Sequence, residues 1–219
     1  MGLNRKTFPR LYPILDASVL PVDSGLREAR IRELAEQLLA AGVTLLQYRN
    51  KVGAEPAIVA DALVLRSAAP RGKCLLILND FPRLTAQVGF DGAHVGQHDM
   101  AVEEARRLLG PERILGVSTH NPEQLAAAKL TSADYLAIGP VFATGSKKNP
   151  DPVVGIEGVR RARELTNKPL VAIGGIALEN CSAVVNAGAD SVAVISSLFA
   201  DASGRPPGKI ASDFFVKLR

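Results

Sequence analysis

The residues able to do chemistry come in short clusters, each directly after an apolar run. The first cluster is Gln47-Tyr48-Arg49-Asn50-Lys51. Alternate residues of a strand share a face, so Gln47, Arg49 and Lys51 point together. One amide and two cations on one face suit an anionic ligand, although charges at a strand end are often only a solvated edge. Asn79-Asp80 and Gly96-Gln97-His98-Asp99 follow two later runs. Each aspartate reads either as the cap of a following helix or as a hard oxygen ligand. Together the two carboxylates suit Mg²⁺, which keeps waters and takes substrate phosphates. His94 and His98 are four apart, a spacing that serves zinc on a helix and not on the strand expected over 92–96.

Further along, Ser118-Thr119-His120 ends another run, and Thr119 or Asn121 is expected to cap the helix starting near Pro122. The long segment 140–155 carries Thr144, Gly145, Ser146, Lys147 and Lys148. Its hydroxyls and cations suit an anion, and a loop of that length in a compact domain is usually functional, such as a lid. Gly174-Gly175 and Ser196-Ser197 follow the last two runs. Paired glycines let backbone N–H groups approach a phosphate, or else serve only a tight turn.

The elements that must position these clusters are eight short, nearly continuous apolar runs: 11–16, 43–49, 74–80, 92–96, 114–118, 135–139, 169–175 and 191–196. Such runs predict strands covered on both faces. Segments with helical period lie between them. In Leu26–Ala41, Ile31, Leu34, Ala35, Leu38 and Leu39 form one stripe, and in Ala101–Leu109, Val102, Ala105, Leu108 and Leu109 face inward. Strands alternating with helices predict parallel βαβ units, and eight of them predict a closed α/β (β/α)8 barrel. The open doubly wound sheet usually carries a Gly-rich turn after its first strand; here that strand ends in Asp16-Ala17-Ser18. In a barrel, chemistry gathers at the strands' C-terminal ends, with a frequent phosphate site after strands seven and eight.

Composition agrees. A chain of 219 residues with 47% apolar and 22% charged residues is expected to be a single domain, 1–219, with an N-terminal extension over 1–10. No run has membrane-spanning length, no signal peptide is legible, and two cysteines suit a reducing compartment. The expectation is a soluble cytoplasmic protein. A net charge of +4, not gathered in runs, suits small anionic ligands and offers no specific feature for nucleic acid. Oligomeric state is not legible; a homo-oligomer is compatible with the chain.

The whole series resembles the thiamine phosphate synthase family over most of the chain, from Leu11 to about Phe199. The resemblance rests on Gln47-x-Arg49-x-Lys51, Asn79-Asp80, His94-Val95-Gly96-Gln97-x-Asp99, Gly116-Val117-Ser118-Thr119-His120, Gly139-Pro140-x-Phe142-x-Thr144-x-Ser146-Lys147, Ile173-Gly174-Gly175-Ile176 and Val194-Ile195-Ser196. It implies joining of a hydroxymethylpyrimidine diphosphate to a thiazole phosphate, with release of pyrophosphate. It also implies Mg²⁺ on Asp80 and Asp99. The pyrimidine diphosphate would meet Gln47, Arg49, Lys51, Asn79, Ser118 and Lys147, of which Arg49, Lys51, Ser118 and Lys147 would be catalytic. The thiazole phosphate would meet Thr144, Ser146, Gly175, Ile195 and Ser196. Phe81 stands where the family commonly has Arg, with Arg83 as the candidate replacement cation. Three alternatives are a thiazole tautomerase on the same barrel, with His120 as acid/base; a Schiff-base aldolase using Lys51 or Lys147; and a non-catalytic thiamine phosphate sensor.

Overall fold

The computed structural model describes residues 4–145, 151–199 and 204–219. Its strands are β1 (Leu11–Asp16), β2 (Leu45–Arg49), β3 (Leu75–Asn79), β4 (Gly92–Val95), β5 (Ile114–Thr119), β6 (Tyr135–Ile138), β7 (Leu170–Ile173) and β8 (Ser191–Val194). They pair in sequence order, all parallel, and β1 closes on β8 with Leu11 opposite Val192. The fold is a (β/α)8 barrel. Around it lie α1 (Ser24–Ala40), α2 (Glu55–Ala68), α3 (Pro82–Thr85), α4 (Val102–Leu109), α5 (Pro122–Ala128), α6 (Gly155–Leu165), α7 (Cys181–Asn186), α8 (Ser196–Phe199) and α9 (Pro207–Lys217). Among the described residues no helix is long and apolar enough to cross a membrane.

Strand alternation divides the apolar residues between two cores. Tyr12, Ile14, Leu45, Ile77 and Tyr135 point into the barrel, where Phe8 joins them from before β1. Leu11, Leu15, Leu46 and Tyr48 point outward and pack with Ile31, Leu34 and Leu38 of α1. The expected stripe of α1 is buried as read, apart from a half-buried Leu39. Leu108 departs from expectation: it is half exposed, because the narrow inward stripe of the short α4 is filled by Ala105 and Leu109.

The capping expectations divide. Asn121 accepts the Gln124 N–H at 2.8 Å and caps α5, while the Thr119 hydroxyl donates to the Ala137 carbonyl at 2.8 Å. Asn121→Ala is expected to cost about 1 kcal/mol, seen as a lower urea midpoint with unchanged slope. An unmoved midpoint would remove the cap from the stability account. Neither aspartate of interest is a cap. α3 and α4 start at Phe81 and Ala101 with no side-chain capping bond, and Asp99 instead accepts the Gly96 N–H at 2.7 Å.

One device recurs at the N-terminal end of the barrel. Asp91, Asp134 and Asp190 each precede an even-numbered strand, and each carboxylate accepts the first or second strand N–H of the preceding odd one. The bonds run from Leu76 at 2.8 Å, Leu115 at 2.7 Å and Leu170 at 2.9 Å. An arginine from the helix before the odd strand then clamps each carboxylate: Arg66 of α2 at 2.5 Å, Arg106 of α4 at 2.6 Å and Arg163 of α6 at 2.7 Å. Helix, following strand and the start of the next strand are thereby tied at one point, far from the C-terminal mouth where polar residues gather.

Candidate functional site

At that mouth lies a cavity of about 570 Å³ whose walls include Gln47, Arg49, Lys51, Asn79 and Ser118 on one side. Thr144, Gly175, Ile195 and Ser196 line it on the other, and Asp80 and Asp99 also reach it. Every site residue expected from sequence that is described therefore lines one cavity. Ser146 and Lys147 lie outside the described residues.

β2 delivers the cations. Gln47 and Arg49 share the inner face as the two-residue period requires, and each finds a partner that local sequence did not reveal. Arg49 Nη1 pairs with the Asp16 carboxylate at the end of β1. Burial works to raise Asp16, but the bonds from Ser18 and the neighbouring Arg49 guanidinium prevail and hold it below its ordinary value. Lys51 Nζ pairs with Asp80 and lies 4.0 Å from Asp99. The turn bearing it is pinned by Asn50, whose Oδ1 accepts the Val52 and Gly53 N–H groups at 3.2 and 2.7 Å. Asn50 in turn donates to the Tyr48 hydroxyl, which reaches Asp61, and Arg27 grips Asp61 through two nitrogens.

The carboxylates come from β3 and β4. Asp80 adopts φ +66°, the one left-handed non-glycine backbone among the described residues; such conformations cluster at functional sites. Burial pushes its carboxyl up to about 6, and hydrogen bonding to Asp99 adds to the rise while Lys51 opposes it. Asp99 is held below its ordinary value: burial opposes this, but bonds from Asp80 and the Gly96 N–H outweigh it. Two acids sharing a hydrogen bond against a lysine ammonium mark a place that calls for positive charge. The donors are all oxygen, and no group of three or more His, Cys, Asp or Glu occurs among the described residues. That set fits Mg²⁺, which draws its remaining ligands from water and phosphate, and does not fit zinc. The two histidines do not make a zinc site either. His94 is buried with both ring nitrogens engaged, by Tyr135 at 2.9 Å and Ser118 at 2.8 Å, while His98 is exposed. Burial drives His94 down to about 4, so it is neutral near pH 7.

Next to them, the buried Asn79 Nδ2 has no hydrogen-bond partner among the described residues. An orphaned donor in a cavity wall is a place for a ligand acceptor. Across the cavity, Gly174 and Gly175 have φ of +101° and +63°. A Cβ on Gly174 would sit 2.6 Å from Pro140 Cα, and one on Gly175 would sit 2.5 Å from the Ala143 carbonyl oxygen. Packing of residues 140–143 thus suffices to require both glycines, beside any role toward phosphate. The segment after β6 is anchored at both ends, Val154 N–H to Pro140 at 2.8 Å and Gly155 N–H to Val141 at 3.2 Å. Arg83 does not line the main cavity: its guanidinium is held by Glu55 and lies 5.7 Å from the Phe81 ring centroid. Lys51 is half exposed and bound by acids, not the desolvated amine that Schiff-base chemistry needs.

Sequence reasoning missed Asp16, Tyr12 and Tyr135 as site-forming residues. The signal for Tyr12 and Asp16 was alternation along β1, which puts them with Ile14 on the inner face.

Comparison with known proteins agrees with this geometry. Residues 18–198 match the family model described as thiamine monophosphate synthase. The chain is 52% identical to the thiamine-phosphate synthase of Koribacter versatilis over 94% of each chain. It is 41% identical to that of Chloroflexus aurantiacus over 87% of this chain and 85% of the relative. Among solved structures, a thiamine phosphate pyrophosphorylase from Pyrococcus furiosus superposes with TM-score 0.80 at 29% identity, covering 95% of both chains. The chain belongs to the thiamine monophosphate synthase family.

Proposed function

We propose that the protein is a thiamine-phosphate synthase. It couples 4-amino-2-methyl-5-hydroxymethylpyrimidine diphosphate with hydroxyethylthiazole phosphate to give thiamine phosphate and pyrophosphate. The observation that carries the reading is the convergence of Arg49, Lys51, Asp80 and Asp99 on one side of a cavity whose opposite side is the Gly175 and Ser196 turn. One side suits a diphosphate and the other a monophosphate, with room between for two small rings.

In the reaction the bond from the pyrimidine methylene carbon to the diphosphate oxygen breaks, and the thiazole nitrogen lone pair forms the new C–N bond. No strong base is required. Arg49 and Lys51 face the oxygens on which negative charge grows, and donors fixed in advance are worth more there than freely reorienting water. Mg²⁺, held by Asp80 and Asp99, would add neutralising charge at the same diphosphate. Asn79 Nδ2 offers its unused N–H, and Ser118 and Gln47 hold the pyrimidine half. Thr144, Gly175, Ile195 and Ser196 hold the thiazole phosphate, joined by Ser146; Lys147 joins the diphosphate contacts. Positioning of two substrates and exclusion of water do the rest. The partners are small phosphorylated molecules, and two buried free cysteines support a cytoplasmic setting.

The test is purified protein with both substrates and Mg²⁺, followed by chromatography for thiamine phosphate. Product is expected, with strong loss in EDTA and in Asp80→Asn. No product with both substrates and Mg²⁺ would overturn the reading, and full activity in EDTA would overturn the metal assignment alone.

A further inference from the structure

Beneath the cavity a chain of buried hydrogen bonds crosses the barrel interior. Gln47 Nε2 donates to the Tyr12 hydroxyl at 2.9 Å, and Tyr12 and Tyr135 share a bond of 2.9 Å. Tyr135 meets His94 Nδ1 at 2.9 Å, and His94 Nε2 meets Ser118 Oγ at 2.8 Å. Gln47, Tyr12, His94 and Ser118 all line the cavity; Tyr135 does not and is fully buried. Five side chains from β1, β2, β4, β5 and β6 are thus joined by direct hydrogen bonds.

Counting protons ties every link of the chain to one choice, where the Tyr12 proton points. A tyrosine hydroxyl has one proton to donate. Tyr12 receives the Gln47 N–H, and although it also lines the cavity, its nearly complete burial favours turning its proton to Tyr135, its other hydrogen-bond neighbour among the described residues. Tyr135 then has its own proton left for His94 Nδ1. An imidazole accepting at Nδ1 carries its proton at Nε2 and donates it to Ser118 Oγ. The Ser118 proton is left for the cavity. At the other end, with Nε2 turned to Tyr12, the Gln47 carbonyl oxygen is left as an acceptor. Were any one link reversed alone, two protons would meet or two lone pairs would face each other in a buried place, which is costly; reversing the links from Tyr12 to Ser118 together would instead turn the Tyr12 proton into the cavity and leave Ser118 an acceptor.

We propose that Tyr135 is a positioning residue that fixes, through His94 and Tyr12, the opposite polarities of Ser118 and Gln47: Ser118 as a donor to an anionic oxygen and Gln47 as an acceptor for a ligand N–H. The aminopyrimidine diphosphate of the proposed reaction carries both groups, so the inference deepens that reading and rests on it for the ligand. Gly116 belongs to the same device. A Cβ there would collide with the Tyr135 ring and with His94 Nδ1, so the absence of a side chain is what lets the histidine and tyrosine meet.

Two measurements test this. The first is a double-mutant cycle on kcat/KM for Gln47→Ala and Ser118→Ala, run in the natural chain and again with Tyr135→Phe. In the natural chain the two substitutions are expected to be non-additive by about tenfold, and with Tyr135→Phe the coupling should shrink to within about threefold of additivity. A merely structural role for Tyr135 would lower all four values together and leave the coupling intact, which would overturn the proposal. The second is read on the natural chain, so it holds whether or not Tyr135→Phe folds and whether or not the enzyme turns over. With three histidines in the chain, ¹⁵N-histidine NMR at neutral pH can resolve His94, with His98→Gln and His120→Gln used only to assign the other two rings. Protonated Nε2 with bare Nδ1 is the expected tautomer; protonated Nδ1 would overturn the direction of the chain. Absence of turnover in the natural protein would count against the proposed function, while this tautomer would still decide the inference.

Discussion

Replacing Arg49 by Met is expected to lower kcat/KM for thiamine phosphate formation by about 10²–10³, the loss usual when one preorganised charge-stabilising donor is removed. The size follows from how the guanidinium is held. Asp16 pairs with it, Ser18 N–H bonds Asp16 at 3.0 Å, and Arg49 still lines the cavity. Little reorganisation is then needed as charge moves onto the leaving diphosphate, so the donor acts where it counts, in the transition state. Met keeps most of the apolar stem and removes the charge and donors. Asp16→Asn should cost less, because Arg49 keeps an acceptor and loses only part of its anchoring. Steady-state kinetics on both variants decide the matter. A loss of less than tenfold in Arg49→Met would remove Arg49 from the chemistry and leave it as a partner for Asp16.

The second large effect is expected on stability. Asp190→Ala should destabilise the protein by about 3 kcal/mol or more, as when one partner of a buried pair is deleted. Asp190 accepts from Leu170 N–H, Arg163 and Arg5. Burial already pushes Arg163 down against the attraction of Asp190, so removing the carboxylate leaves a desolvated cation. At about 2–4 °C per kcal/mol for a chain of this size, the melting temperature should fall by about 6–12 °C or more. Calorimetry measures it. Asp190→Asn keeps an acceptor for Leu170 and should fall between. A shift below about 2 °C for the alanine variant would show that the ion pairs at this end are solvated ornaments. Well below the melting point the Asp190→Ala enzyme should turn over normally, because the pair stands at the barrel end opposite the cavity.

Much of this was legible in the residues. Continuous apolar runs placed all eight strands to within three residues at each end, because a strand buried on both faces must be apolar throughout. Strand alternation put Gln47 and Arg49 on one inner face, and strand-end position brought Asp80 and Asp99 to one place. What escaped was whatever depends on partners far apart in the chain. Arg49 reads as a free cation until Asp16, 33 residues earlier, is seen against it. Tyr12 and Tyr135 are 123 positions apart, and each alone reads as an ordinary core aromatic. His94 and His98 were already unsuited to zinc on a strand, but the bonds of His94 to Tyr135 and Ser118 were not legible. The paired glycines suggested phosphate; contact with residues 140–143 is a second reason for them, not legible from sequence.

The repeated aspartate–arginine clamps also bear on how the ring can assemble. Each joins residues only 25, 28 or 27 positions apart, from Arg66 to Asp91, Arg106 to Asp134 and Arg163 to Asp190. Gathering such short stretches costs little chain entropy. Much of the barrel is thereby divided into modules of helix, strand and helix that can form beside one another, each clasped where the next strand begins. The one pairing that no short stretch supplies is the seam of β1 with β8, which brings Leu11 to Val192. The entropic cost of closing the circle falls there, and distant contacts of that kind are the slow ones in folding.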